Sequence, residues 1–97
     1  MFDKMKQLME MKKQADEIKR ELDACQIESN DVRGIKIKIN GSQNIQSIEI
    51  DENLLKAENK TRFEADLARS FNAAIKKSQT VVAQKMKHML PGGFPGF

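Results

Sequence analysis

The sequence predicts an α+β subunit with the element order α-β-β-β-α, and three observations carry that expectation. The chain opens with a stretch free of glycine and proline in which apolar residues recur every three or four positions. Between residues 35 and 50 the apolar period falls to two, and from about residue 61 to residue 90 a second uninterrupted helical stretch follows. Ninety-seven residues leave room for one folded core, so residues 1–97 are read as a single domain.

The first helix is expected over residues 3–25, with Asp3 as its cap. Leu8, Met11, Ala15, Ile18, Leu22 and Cys25 form a narrow seam of the coiled-coil type, which requires a partner helix. Cys25 on that seam reads as a small core hydrophobe, and the methionines as adaptable filling rather than soft-metal ligands. Strands are expected at about 26–30, 33–39 and 44–50. Ile35, Ile37 and Ile39 alternate with Lys36 and Lys38, and Ile45, Ile48 and Ile50 return after Asn40-Gly41, a dipeptide that accepts the positive dihedrals of a tight hairpin. The strand near residue 26 is inferred because an isolated two-stranded hairpin is marginal in water. Residues 51–60 form a polar turn anchored by Leu54 and Leu55, and Thr61 and Glu64 have capping-box spacing at the start of a helix over 61–90. Its buried side comprises Leu67, Phe71, Ala74, Ile75, Ser78, Val82 and Met89, and Pro91 and Gly92 stop it. The tail 91–97, with Phe94 and Phe97, either hangs free or folds back over apolar surface.

Composition narrows the function. The chain is 39% hydrophobic and 32% charged, apolar enough to fold and charged enough to keep much of its surface wet. No apolar run reaches the ~18 residues needed to cross a bilayer, and charge interrupts the N-terminus, so a cytoplasmic location is expected. One cysteine forms no internal disulfide and no multi-thiolate metal site. The single histidine, His88, has no neighbouring carboxylate and reads as an exposed helix-end residue; tyrosine and tryptophan are absent. Glu10, Asp16, Glu17, Glu21 and Asp23 alternate with cations as on a solvated helix face, and Gly92, Gly93 and Gly96 precede no helix and make no phosphate loop. No enzyme activity, cofactor, metal or small-molecule substrate is expected.

Charge is laid out unevenly. Residues 51–66 hold Asp51, Glu52, Glu58, Glu64 and Asp66 against Lys56, Lys60 and Arg62, whereas from residue 67 onward Arg69, Lys76, Lys77, Lys85 and Lys87 meet no acid. The second helix is roughly 45 Å long and the first roughly 33 Å, against about 23 Å for a seven-residue strand, so the helices overhang the sheet. Antiparallel pairing of the two would bring Lys4, Lys6, Lys12 and Lys13 together with Lys76, Lys77, Lys85 and Lys87 at the far tip of a positive arm. The small core predicts a homodimer, and two such arms suit double-stranded DNA. Thirteen of seventeen cations are lysine, with arginine confined to Arg20, Arg33, Arg62 and Arg69, which predicts weak sequence preference. Phe63 and Phe71 lie off the basic stripe, so stacking on single strands is not favoured. Two other readings stay open: lysines that serve solubility alone, and a protein-interaction adaptor clamping a replication or repair partner.

Residues 34–55, GIKIKINGSQNIQSIEIDENLL, with residues 70–74, SFNAA, and 90–94, LPGGF, give the chain a resemblance to the YbaB/EbfC family of bacterial nucleoid-associated proteins, spanning nearly its whole length. The resemblance implies an α-β-β-β-α subunit, a tweezer-like homodimer with projecting helices, and DNA binding that organises or compacts the chromosome in the nucleoid with little or modest sequence preference. An influence on gene expression is a further expectation. The resemblance designates no contact residue. The expected DNA contacts, Lys4, Lys6, Lys12, Lys13, Arg69, Lys76, Lys77, Lys85 and Lys87, come from the charge argument.

Overall fold

The structure, a computed structural model, describes residues 2–89. Helix α1 (Phe2–Ala24) leads into strands β1 (Gln26–Ser29), β2 (Ile35–Asn40) and β3 (Ile45–Ile50), and two 3-10 turns, Glu52–Leu54 and Ala57–Asn59, deliver the chain to helix α2 (Lys60–Met89). The architecture is therefore α+β in the order α-β-β-β-α. Helix α1 begins before Asp3, which lies in its first turn and complements the helix dipole rather than capping the start. Helix α2 begins at Lys60, directly out of the second 3-10 turn, and Glu64 is turned toward Lys60 at 4.0 Å rather than completing a box with Thr61. The expected burial of Met89, the helix end at Leu90 and the tail 91–97 lie outside the described side chains and residues.

The strands form an antiparallel sheet in the order β1-β2-β3. Register places Ile27 opposite Ile39, Ile37 opposite Ile48 and Ile35 opposite Ile50, which gathers the isoleucines on one face. Ile35, Ile37 and Ile39 are fully buried there, at about 2 kcal/mol of hydrophobic stabilisation each. Helix α2 covers this face with Ser70, Ala74 and Ser78, four residues apart and all buried. Such small side chains let the helix backbone approach the branched isoleucines closely. The serine hydroxyls are satisfied, Ser70 donating to the Asp66 carbonyl and Ser78 to the Asn40 carbonyl, each at 2.8 Å. Phe63, Leu67, Phe71, Ile75 and Val81 pack around the margin with Cys25, Val32 and Leu54. Cys25 thus sits at the core edge, while Leu54 alone of the expected pair anchors the turn and Leu55 points outward.

Because α2 runs over β1 and β2, the outer strand β3 is left at the side: Ile45 and Ile48 face the helix layer yet are 40% and 42% exposed. On the opposite face Lys36 sits between Glu28 of β1 (3.1 Å) and Glu49 of β3 (3.4 Å). Hydrogen bonding and attraction from Glu28, then from Glu49, raise the Lys36 pKa above its ordinary 10.5.

The hairpin turn differs from its expected form. Asn40 and Gly41 do not carry the positive dihedrals; the left-handed residue is Gln43, at φ 64°, following a turn in which its N–H donates to the Asn40 carbonyl at 3.1 Å. Gly41 is required for a tertiary reason. Its N–H donates to the Leu22 carbonyl of α1 at 2.9 Å, and a Cβ there would lie 2.9 Å from the same oxygen.

Asn40 completes this joint. Its Oδ1 accepts from the Ser42 and Asn44 amides (3.0 and 2.9 Å), its Nδ2 donates to the Asp23 carbonyl (3.3 Å), and its own carbonyl takes the Ser78 hydroxyl. One buried side chain and its backbone therefore tie the base of α1, the hairpin and α2 together.

Beyond the joint α1 runs on alone. No residue of α1 is buried, and Phe2, Met5, Leu8, Met9 and Met11 are exposed. The molecule measures 67 × 20 × 17 Å with a radius of gyration of 18.6 Å, against about 12.5 Å for a compact chain of this length.

Candidate nucleic-acid interface

The two long helices do not pair along their length, which corrects the expected meeting of lysines at a common tip. Helix α2 is engaged with the sheet as far as Ser78, which bonds the last residue of β2. Only the eleven residues after it, about 16 Å of helix, extend past the hairpin. They overlap only the base of α1, where Lys85 Nζ lies 3.5 Å from Glu21 Oε2 and Met86, absent from the expected buried side, is 8% exposed. The apolar seam of α1 is accordingly half-buried at Ile18 and Leu22 and open at Leu8, Met11 and Ala15.

The nine expected contact residues fall into two groups. Lys4, Lys6, Lys12 and Lys13 are exposed on the outer half of α1, where Asp3 and Glu10 are the only acids; Asp16, Glu17, Glu21 and Asp23 all lie in the inner half. Arg69, Lys76, Lys77, Lys85 and Lys87 lie along α2. Their charges are not equally free. Arg69 Nε is 3.0 Å from Asp31 Oδ2, and Lys85 faces Glu21. Lys77 Nζ donates to the Glu28 carbonyl, a neutral acceptor that leaves its charge uncompensated and covers an outward-facing group of the β1 edge. Lys76 and Lys87 are exposed and form no ion pair among the described residues. Both Phe63 and Phe71 pack against the core, and neither borders the lysines.

Lys76 and Lys77 border a shallow depression of about 580 Å³ with Ser29, Asn30, Asp31 and Thr80. Two ammonium groups stand against one carboxylate there, and that carboxylate, Asp31, is already paired with Arg69. Ser29, Asn30 and Asp31 come from β1 and the loop after it, more than forty residues away in sequence, and no local pattern announces them. His88 is exposed in the last turn of α2. No helix among the described residues is long and apolar enough to cross a membrane.

The helix-sheet-helix frame is shared with a solved structure, that of an uncharacterised protein, HP0035, from Helicobacter pylori. The two agree with a TM-score of 0.66 at 21% identity, over 86% of this chain and 98% of the other, a likeness of fold. A family profile matches residues 1–94, which include both helices, the sheet and every lysine placed above. By that match over nearly its full length, the chain belongs to the YbaB/EbfC DNA-binding family.

Proposed function

We propose that residues 1–97 act as one non-enzymatic domain that binds double-stranded DNA as a homodimer, with weak sequence preference, and organises or compacts the chromosome in the cytoplasmic nucleoid, with an influence on gene expression. It uses no cofactor and no small-molecule substrate. The observation that carries this reading is the distribution of free cations along a rod: Lys76, Lys77 and Lys87 on an acid-free stretch of α2, and Lys4, Lys6, Lys12 and Lys13 on the outer half of α1. With Lys85 level with Glu21, Lys76 and Lys4 are about 40 Å apart along the axis at 1.5 Å per helical residue. That is roughly one turn of B-form duplex, ~35 Å, a span over which phosphates recur on the same side of the DNA. Lysine acts as a point charge rather than a bidentate reader of base edges, which favours binding without sequence readout.

Homodimerisation is supported by the apolar surface one chain leaves open, on α1 at Met5, Leu8 and Met11 and on β3 at Ile45 and Ile48. A helix of 23 residues with nothing buried is marginal in water on its own, and a second copy covers what the monomer leaves exposed.

The test is a salt titration of binding to two unrelated duplexes, on protein whose mass is measured by sedimentation. Dimer mass, equal affinities and a steep fall with salt are expected. A flat salt response would reject the phosphate-contact reading and favour the adaptor, with the exposed apolar seam of α1 as its contact. A monomer mass would reject the dimer.

A further inference from the structure

At the end of the molecule opposite the tip of α1, residues 31–33, Leu54 and Asn59 of the 3-10 turns, and the first three turns of α2 line a cavity of about 310 Å³. Its apolar wall is Val32, Leu54 and Phe63, all packed on the core. Its cations are Arg33, from the loop after β1, and Arg62 and Arg69, two turns apart on α2. Every cation at this cavity is an arginine, in a chain with thirteen lysines and four arginines. Three draws from that pool would seldom give this result, so the site favours a planar, forked donor over a point charge.

The lining acids restrict what the arginines can take. Asp31 holds Arg69 at 3.0 Å and Asp66 faces Arg62 at 3.9 Å, while Arg33 has no ion-pair partner among the described residues. One uncompensated guanidinium suits one phosphate rather than a polyphosphate chain. Each of the two aspartates retains lone pairs able to accept N–H donors from a ligand. Phe63 and Leu54 supply the flat apolar contact a base ring requires, and the volume lies at the low end of the ~300–1,000 Å³ typical of ligand pockets, enough for one nucleotide.

We propose that this cavity binds a nucleoside 5′-monophosphate, with Arg33 on the phosphate, the base against Phe63 and Leu54, and the base-edge N–H groups donating to Asp31 or Asp66. The ligand is either a free nucleotide or the phosphorylated end of a DNA strand. The site is separate from the free lysines of α1 and α2, so its test does not depend on duplex binding.

The full chain, labelled with nitrogen-15, is titrated with dAMP, deoxyadenosine and inorganic phosphate while the amides of Arg33, Arg62 and Phe63 are followed. Saturable shifts with dAMP are expected, with nucleoside or phosphate alone at least ~10-fold weaker, because each retains only part of the contacts. Arg33→Lys keeps the charge and removes the fork, and should weaken dAMP by about 10-fold while leaving affinity for a 5′-hydroxyl duplex unchanged. Competition by a 5′-phosphorylated short duplex, and not by its 5′-hydroxyl counterpart, would identify the strand end as the source; competition by neither would identify the free nucleotide. No saturable shift at millimolar dAMP, equal binding of inorganic phosphate, or an Arg33→Lys variant that binds like the parent would overturn the proposal. Loss of duplex binding with dAMP binding intact would count against the DNA reading alone.

Discussion

Replacing Lys76, Lys77 and Lys87 by glutamine removes three charges from α2 and gives up only the Lys77 bond to the Glu28 carbonyl, since none of the three lies in the core and the buried residues Ser70, Ala74 and Ser78 are retained. On the proposed reading, these and the four outer lysines of α1 make seven phosphate contacts per protomer. At about −0.9 per contact, log affinity against log salt has a slope near −6.3, and the triple variant a slope near −3.6. Between 50 and 200 mM salt, affinity per protomer then falls roughly 6,000-fold for the parent and roughly 150-fold for the variant. The ratio of slopes, about 0.6, is the same however many protomers engage the duplex. Fluorescence anisotropy on two unrelated duplexes of equal length reads it directly. Arg69→Gln and Lys85→Gln are the internal controls: their charges are already matched by Asp31 and Glu21, so each should change the slope by less than a full contact. An unchanged slope in the triple variant, or an Arg69→Gln effect as large as that of Lys76→Gln, would refute the division into free and engaged cations.

Asn40→Ala removes an acceptor for two amides and a donor to Asp23, and should cost about 2–4 kcal/mol, read as a lower urea midpoint at constant slope. Gly41→Ala places a methyl 2.9 Å from the Leu22 carbonyl and should loosen the base of α1 by about 1–3 kcal/mol, with faster hydrogen exchange at the Gly41 amide while the amides pairing β2 with β3 stay protected. Glu28 and Glu49 raise the Lys36 pKa, so the stability they lend through it is complete at neutral pH and up to its ordinary 10.5, and is lost only as pH climbs through the raised value. The melting-temperature gap between the parent and Lys36→Gln should therefore be flat from pH 6 to 10 and close above that range. If a second copy covers α1, far-ultraviolet helicity should increase with protein concentration, and Met5→Lys with Leu8→Lys should abolish the increase.

The elements themselves were legible in the sequence because each depends on a local period. The Ile/Lys alternation gives β2 and its pairing with β3, and the acid-free run after residue 67 marks the basic side of α2. What escaped depends on where α2 sits across the sheet. Ser70, Ala74 and Ser78 set it over β1 and β2, and that placement exposes Ile45 and Ile48, carries the described part of α2 about three turns past the hairpin and limits its overlap with α1. A hydrophobic period records which side of a helix is buried, not which strands lie beneath it. The sequence places Gly41 in the hairpin loop but hides why glycine is needed there, because the oxygen that excludes a side chain belongs to Leu22 of another element. The candidate interface divides in the same way. Its lysines were visible as residues, but Asp31, which neutralises Arg69, reaches it from a loop 38 residues earlier, and the convergence of Arg33 with Arg62 and Arg69 has no local signature beyond the seven-residue spacing of the latter two.

Seen across the whole rod, the acids of α1 are matched to its mechanical role. The helix carries six cations and six acids, yet four of the acids lie in its inner half. There Glu21 faces Lys85, and Asp23 meets both the Ser42 hydroxyl and, through its carbonyl, Asn40. The same segregation leaves four lysines against two acids on the outer half, none of whose described residues is buried. Charge engaged at the joint and charge left exposed on the arm are therefore separated along one helix. On α2 the separation follows another rule: Arg69 and Lys85 are held at the loop and at the α1 joint, and Lys76, Lys77 and Lys87 remain uncompensated. An exposed ion pair adds little stability, so the main consequence of Arg69–Asp31 and Lys85–Glu21 is electrostatic. They restrict the unpaired cations of α2, among the described residues, to Lys76, Lys77 and Lys87.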